Sequence, residues 1–135
     1  MFFIDSLKSS VDVFEYDLEN GTLSNRKTFF RFREEDGTPD GMTIDEAGNL
    51  YVAMWNGGQV IVIGPNSEII NRIELPVKLV TSVAFGGKDL NTLFITTARY
   101  ELSQDELSQQ PLAGDLFQFK TDATGILENS FNLKF

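Results

Sequence analysis

Neither cysteine nor histidine occurs among the 135 residues. Without cysteine there is no disulfide, no thiolate metal site and no sulfur nucleophile. Without histidine there is no Ser-His-Asp triad, no imidazole zinc site and no histidine general base. A metal held by this chain has to be held by oxygen atoms, which favours a hard cation such as calcium or magnesium. Positive charge is scarce as well: 11 Lys and Arg stand against 20 Asp and Glu, for a net charge of −9. That balance, with a pI near 4.4, disfavours nucleic acid and anionic membrane surfaces as partners. No stretch approaches the roughly 18 apolar residues of a membrane helix. The opening MFFIDSLKSS has too short an apolar run for a signal peptide and no positive residue before it. The expectation is a soluble, cytoplasmic protein with neither membrane nor nucleic-acid partners.

What is present is apolar and aromatic, with 41% hydrophobic residues and 12 Phe, at the usual length of one domain. Val11 and Val13 alternate with Asp12, and Phe117 and Phe119 flank Gln118. Such period-two runs, cut by Gly, Asn and Asp, predict strands. Residues 100–110, YELSQDELSQQ, are mostly polar and suit at most a short helical turn. The runs also repeat: Phe3-Ile4-Asp5, Tyr51-Val52-Ala53 and Phe94-Ile95-Thr96 lie 48 and 43 residues apart. Each is followed by a second apolar strand, a turn and a third, and Met42-Thr43-Ile44 and Val83-Ala84-Phe85 precede the second and third units. Four strands at this spacing predict an all-β fold of the β-propeller type, above the rival β-sandwich. The units run over about 1–38, without an inner strand, 39–76 and 77–135, closing on a strand at Ser130-Phe131-Asn132-Leu133. Together they form one partial domain of about three blades, an open ring.

The motifs PDGMTID, NLYVAMWNGG, LPV, TSVAFGG and LFITTA resemble the C-terminal half of the regucalcin (senescence-marker protein), gluconolactonase and luciferin-regenerating enzyme family. The segment FFIDSLKSSVDVFEYDLENGTLSNRKTFFRF is similar to the same family just upstream, so the resemblance covers essentially the whole chain. It implies a six-bladed propeller with one divalent ion in its channel, and metal-dependent hydrolysis of sugar lactones or calcium binding. The family's metal is held by a Glu, two Asn and an Asp. The Asp belongs to the PDG motif and falls on Asp40; the Glu and one Asn lie in family regions before Met1, and the second Asn just upstream of FFIDS. Asp40 is thus expected to be a metal ligand and a candidate proton acceptor. The ion expected is calcium or zinc, with magnesium and manganese as further choices. Calcium takes 6 to 8 oxygens, so this chain alone is not expected to retain the ion, and reads as a truncated, inactive form. The alternative is a non-enzymatic calcium- or protein-binding propeller module.

From the residues alone, Pro39-Asp40-Gly41 reads as a turn, with Asp bonding its own backbone and Gly tolerating left-handed geometry. Asn56-Gly57-Gly58 reads as a tight turn between strands. Thr81 takes in the third unit the slot of Asp40 in the second, its hydroxyl expected on backbone. Asp45, Asp89 and the run Glu34-Glu35-Asp36 read as solvated loop residues, and Trp55 as a packing aromatic. Faces and strand edges left open at the ends of the arc, with Phe29-Phe30 and Phe131 to Phe135 partly uncovered, point to marginal stability and self-association. Light scattering at rising concentration is expected to report dimers or larger species, and a stable monomer removes that expectation.

Overall fold

The computed structural model describes residues 1–127 and 129. Three antiparallel sheets follow one another along the chain. The first holds β1 (Phe2–Asp5), β2 (Ser10–Asp17) and β3 (Thr22–Arg31); the second holds β4 (Thr38–Ile44), β5 (Leu50–Trp55), β6 (Gln59–Ile63) and β7 (Ile69–Glu74). The third holds β8 (Val80–Gly86), β9 (Thr92–Thr97) and β10 (Leu116–Lys120). Each sheet is a meander in chain order. The opening strand of the second, β4, lies against β8 on one side and β1 on the other. This is how neighbouring propeller blades sit, each strand one being the innermost. The strand expected at Ser130-Phe131-Asn132-Leu133 and the Phe131 to Phe135 segment lie outside the described residues.

Alternation explains why the middle sheet is so apolar. Along β5, Leu50, Val52 and Met54 point into a core shared with the first sheet, beside Val11, Phe32, Ile61 and Ile63. Tyr51 and Ala53 point the other way, into a core shared with the third sheet, beside Val60, Val80, Val83, Leu93 and Ile95. Successive side chains leave a strand on opposite faces, so a sheet covered on both sides needs apolar residues at every position. The sequence LYVAMW meets that need. The outer sheets have one covered face each: Phe2 packs edge-on against Phe29 toward the core, while Phe3 and Leu116 are largely exposed. Phe29 and Phe30 are half-buried. The short helical turn takes shape as α1 (Gln104–Gln109), started by a capping box between Ser103 and Glu106.

Two acids read as solvated are buried. Asp45 is only 1% exposed because the β4–β5 connection folds back on it. Its Oδ1 accepts the Asn49 N–H at 2.8 Å, and its Oδ2 accepts Asn49 Nδ2 at 2.8 Å and the Tyr51 hydroxyl at 3.2 Å. Gly125 bridges Asp45, and Glu46 N–H reaches Thr124 O at 2.9 Å, so the segment after β10 clamps this corner of the second sheet. Asp36 is 3% exposed; its Oδ1 meets Arg72 Nη2 at 2.8 Å and its Oδ2 accepts the Arg33 N–H at 3.0 Å. A buried carboxylate survives when donors meet its oxygens, and both acids have them. Glu34, Glu35 and Asp89 are exposed.

Burial, then the charge and hydrogen bond of Asp45, push the Tyr51 phenol up to about 12 from 10.0. The fold therefore favours the neutral phenol. Its contribution is complete below the unfolded value and is lost as pH rises through the folded one. Tyr51→Phe is expected to lower stability by about 1 kcal/mol at neutral pH, the net worth of one such hydrogen bond. It should also flatten the loss of stability between pH 10 and about 12, as urea melts across that range will show.

Candidate functional site

Register puts the expected site residue at one end of the arc. Thr38 pairs with Trp55 and Pro39 with Met54, so the start of β4 meets the end of β5. At the same end lie the connections between central strands: Ser6–Lys8 between β1 and β2, the Asn56–Gly58 turn between β5 and β6, and residues 98–115 between β9 and β10. Ser6 Oγ donates to Pro39 O at 2.8 Å, which joins the first of these to β4.

Pro39-Asp40-Gly41 does not form the turn that its residue types suggest. It lies inside β4, where the register jumps between Pro39 and Met42. Asp40 and Gly41 together stand opposite Ala53, a bulge of two residues against one. Gly41 is outside the left-handed region; it is glycine because β8 passes too close for anything larger. A Cβ there would lie 2.3 Å from Ser82 Oγ and 2.8 Å from Ser82 Cα. The approach to the bulge is fixed as firmly. Gly37, at φ 92, meets Gly57 backbone to backbone, a Cβ on it falling 2.6 Å from Gly57 N. Gln59 Nε2 donates to Asp36 O at 3.3 Å and its Oε1 accepts Arg72 Nη1 at 3.0 Å. The Asp36–Arg72–Gln59 ring thus ties the loop before β4 to β6 and β7.

Asp40 differs from the other two acids. It reaches solvent, yet desolvation pushes its carboxyl above the usual 3.8, and among the described residues no hydrogen bond or opposite charge offsets that burial. A carboxylate on an inner strand, open to solvent and without a partner among the described residues, is a candidate for meeting a positive charge or a proton. Among the described residues no three acidic side chains converge, so Asp40 stands alone. Thr81 sits at the matching register shift in β8, between Val80 and Ser82. Its hydroxyl pairs with Thr96 Oγ1 at 2.7 Å, not with backbone as expected from a strand start.

The Asn56–Gly58 turn is the tight turn expected, with Asn56 and Gly58 both at φ 62. Beside it lies an open cleft of about 470 Å³, lined by the turn with Leu75, Lys78 and Gln110 and by no residue of β4. Trp55 is half-buried and its ring lies 6.3 Å from that of Tyr100, tilted by 51°. Ser82 and Tyr100 did not stand out in the sequence. Ser82 follows the slot aligned with Asp40, and Tyr100 opens a polar stretch; those are the signals that point to them.

Comparison with known proteins bears on this end of the fold. The family model described as "SMP-30/Gluconolactonase/LRE-like region" matches residues 1–99. Regucalcin of Oryctolagus cuniculus is 46% identical over 118 residues, 87% of this chain and 40% of that protein. YvrE of Bacillus subtilis (strain 168), named as a candidate sugar lactone lactonase, is 43% identical over 126 residues, 93% of this chain and 43% of that one. The crystal structure of a calcium-binding protein, regucalcin, from Agrobacterium tumefaciens superposes with a TM-score of 0.91 at 27% identity. It covers 98% of this chain and 45% of that one. The chain thus spans less than half the length of the relatives it matches, and the fold is an arc of a six-bladed type of propeller.

Gly41→Ala is expected to cost roughly 1 to 3 kcal/mol, the usual cost of overpacking, because the methyl group meets the backbone of Ser82. Asp40→Asn is expected to leave the thermal midpoint unchanged or raise it at pH 7 without divalent cations. A carboxylate with a raised folded pKa weakens the fold above that value and not below 3.8. The difference should therefore close as the melts are taken into acid.

Proposed function

The chain belongs to the SMP-30/gluconolactonase/LRE-like family, and on that footing we propose that the Asp40 end is one wall of a divalent-cation site for hydrolysing a sugar lactone. The observation that carries the reading is the carboxylate of Asp40 at a bulge on an innermost strand, open to solvent and without a partner among the described residues. A structural acid in this chain finds donors, as Asp36 and Asp45 do; Asp40 is left free to bind. The candidate lactonase YvrE and the calcium-binding regucalcin supply the substrate class and the ion by likeness.

Asp40 fits such an ion as a ligand: it is anionic, oxygen-bearing and, among the described residues, unpaired, in a chain with no thiolate or imidazole donor to compete. One carboxylate does not fill a shell of 6 to 8 oxygens, so the reading assigns the remaining ligands to other parts of the ring. When bound, the cation polarises the lactone carbonyl and lowers the pKa of a coordinated water. This chain's own residues hold the geometry. Ser6 and Pro39 anchor the strand start, Gly41 lets β8 come alongside, and Asp40 presents an oxygen able to accept a proton. The single carboxylate also sustains the other reading, a propeller that binds calcium or a protein without catalysis. Turnover separates the two.

A chimera in which this chain replaces the matched segment of the rabbit regucalcin completes the ring around Asp40. It is expected to hydrolyse glucono-δ-lactone only with a divalent cation, with calcium, zinc, magnesium and manganese tried in turn. Asp40→Asn in that chimera should lower kcat/KM by at least ~100-fold, the range seen when a metal site loses support. Cation-dependent turnover that survives Asp40→Asn overturns the assignment. Cation binding with no turnover selects the non-catalytic reading.

A further inference from the structure

Strand β5 is covered along its length until its last residue: Leu50 to Met54 are buried, and Trp55, the chain's one tryptophan, is left half open. Its position is set by backbone on both sides. Trp55 bridges Leu79, and the Ala98 N–H donates to the oxygen of the same Leu79 at 2.9 Å. The ends of β5 and β9 are therefore held side by side across the strand that leads into β8. Two residues beyond Ala98 the chain delivers Tyr100, whose ring stands against Trp55 at 6.3 Å while 65% of the residue remains exposed.

The segment that carries Tyr100 is pinned. Gly114 N–H donates to Thr97 Oγ1 at 3.0 Å and Thr97 Oγ1 to Asp115 O at 2.7 Å, closing its base. Its far limb is held where the Lys78 N–H meets Gln110 Oε1 at 2.6 Å. Two aromatic rings thus stand together, partly open, on a tied segment at the end of the fold that carries Asp40. Trp55 pairs with Thr38, two residues before Asp40. Cross-strand and along-strand spacings then put the Trp55 and Asp40 backbones on the order of 8 Å apart, comparable with the length of a six-carbon sugar.

We propose that Trp55 and Tyr100 form a ledge that takes the hydroxylated carbon skeleton of the substrate while its ester group lies at Asp40. The inference rests on the lactonase reading and adds what that reading leaves open: the ledge selects a polyhydroxylated ring over a bare lactone. Aromatic faces accept the C–H side of a sugar ring, and the Tyr hydroxyl and water serve its oxygens. Trp55 and Tyr100 position the substrate and take no part in bond making.

Because Trp55 is the one tryptophan, its emission reports the ledge directly. The purified chain is titrated with anhydroglucitol, which keeps the sugar ring and hydroxyls but has no ester to hydrolyse and no need of a cation. A saturable change in emission is expected, absent with tetrahydropyran, and weakened roughly three- to tenfold in affinity by Tyr100→Ala. Tyr100→Leu, closer in bulk, is the second variant should the first not fold, with unfolding midpoints as the check. No change in the wild-type chain, or equal affinity in the Tyr100 variants, overturns the ledge. In the lactonase chimera, Tyr100→Ala should raise KM for glucono-δ-lactone several-fold, leave kcat alone, and leave δ-valerolactone unaffected. A chimera without turnover sinks the lactonase reading and not the ledge, since the emission titration needs no reaction. Turnover with a silent Trp55 does the reverse.

Discussion

A methyl group does not fit between β4 and β8 at Gly41, and the position of Asp40 follows from that. The two innermost strands can lie this close only where one of them carries a hydrogen in place of a side chain. The bulge that sets Asp40 and Gly41 against Ala53 turns the close approach into a presentation: one residue makes room and its neighbour is re-aimed. The supports are backbone features, namely the Ser6 bond to Pro39 O and the contact of Gly37 with Gly57. Rigid placement of one carboxylate is what the proposed cation site asks of this part of the ring.

Three of the chain's acids show how one chemical group serves two ends. Asp36 and Asp45 are nearly inaccessible and spend their charge on Arg72, Asn49, Tyr51 and backbone N–H groups. They lock the two ends of the middle sheet, one before β4 and one after it. Asp40 lies between them, on β4, and has no such partner among the described residues. Burial and hydrogen bonding both set the two locking acids apart from Asp40.

Much of the fold was legible because strands and turns are local. LYVAMW and QVIVI announce a doubly covered sheet through unbroken apolarity, and the equivalence of Thr81 with Asp40 was visible in the repeat and recurs as a register shift in both strands. The family resemblance was legible in the motifs, and the match over residues 1–99 agrees with it. What stayed hidden depends on residues remote in sequence. Asp36 looked solvated because Arg72 belongs to β7, and Asp45 because its loop closes against Thr124 and Gly125. Gly41 looked like a turn glycine because Ser82 lies in another sheet. Tyr100 gave no sign until Leu79 brought it to Trp55.

The connections between central strands differ greatly in extent: Ser6–Lys8 in the first sheet, Asn56–Gly58 in the second, and residues 98–115 with α1 in the third. All gather at the Asp40 end, while the strands beneath them are fixed by the two cores. The longest of these connections can therefore change without disturbing the carboxylate, since the residues that tie it down and those that hold β4 are different ones. A lineage carrying this architecture is free to exchange one surface segment for another while the strands beneath keep their places.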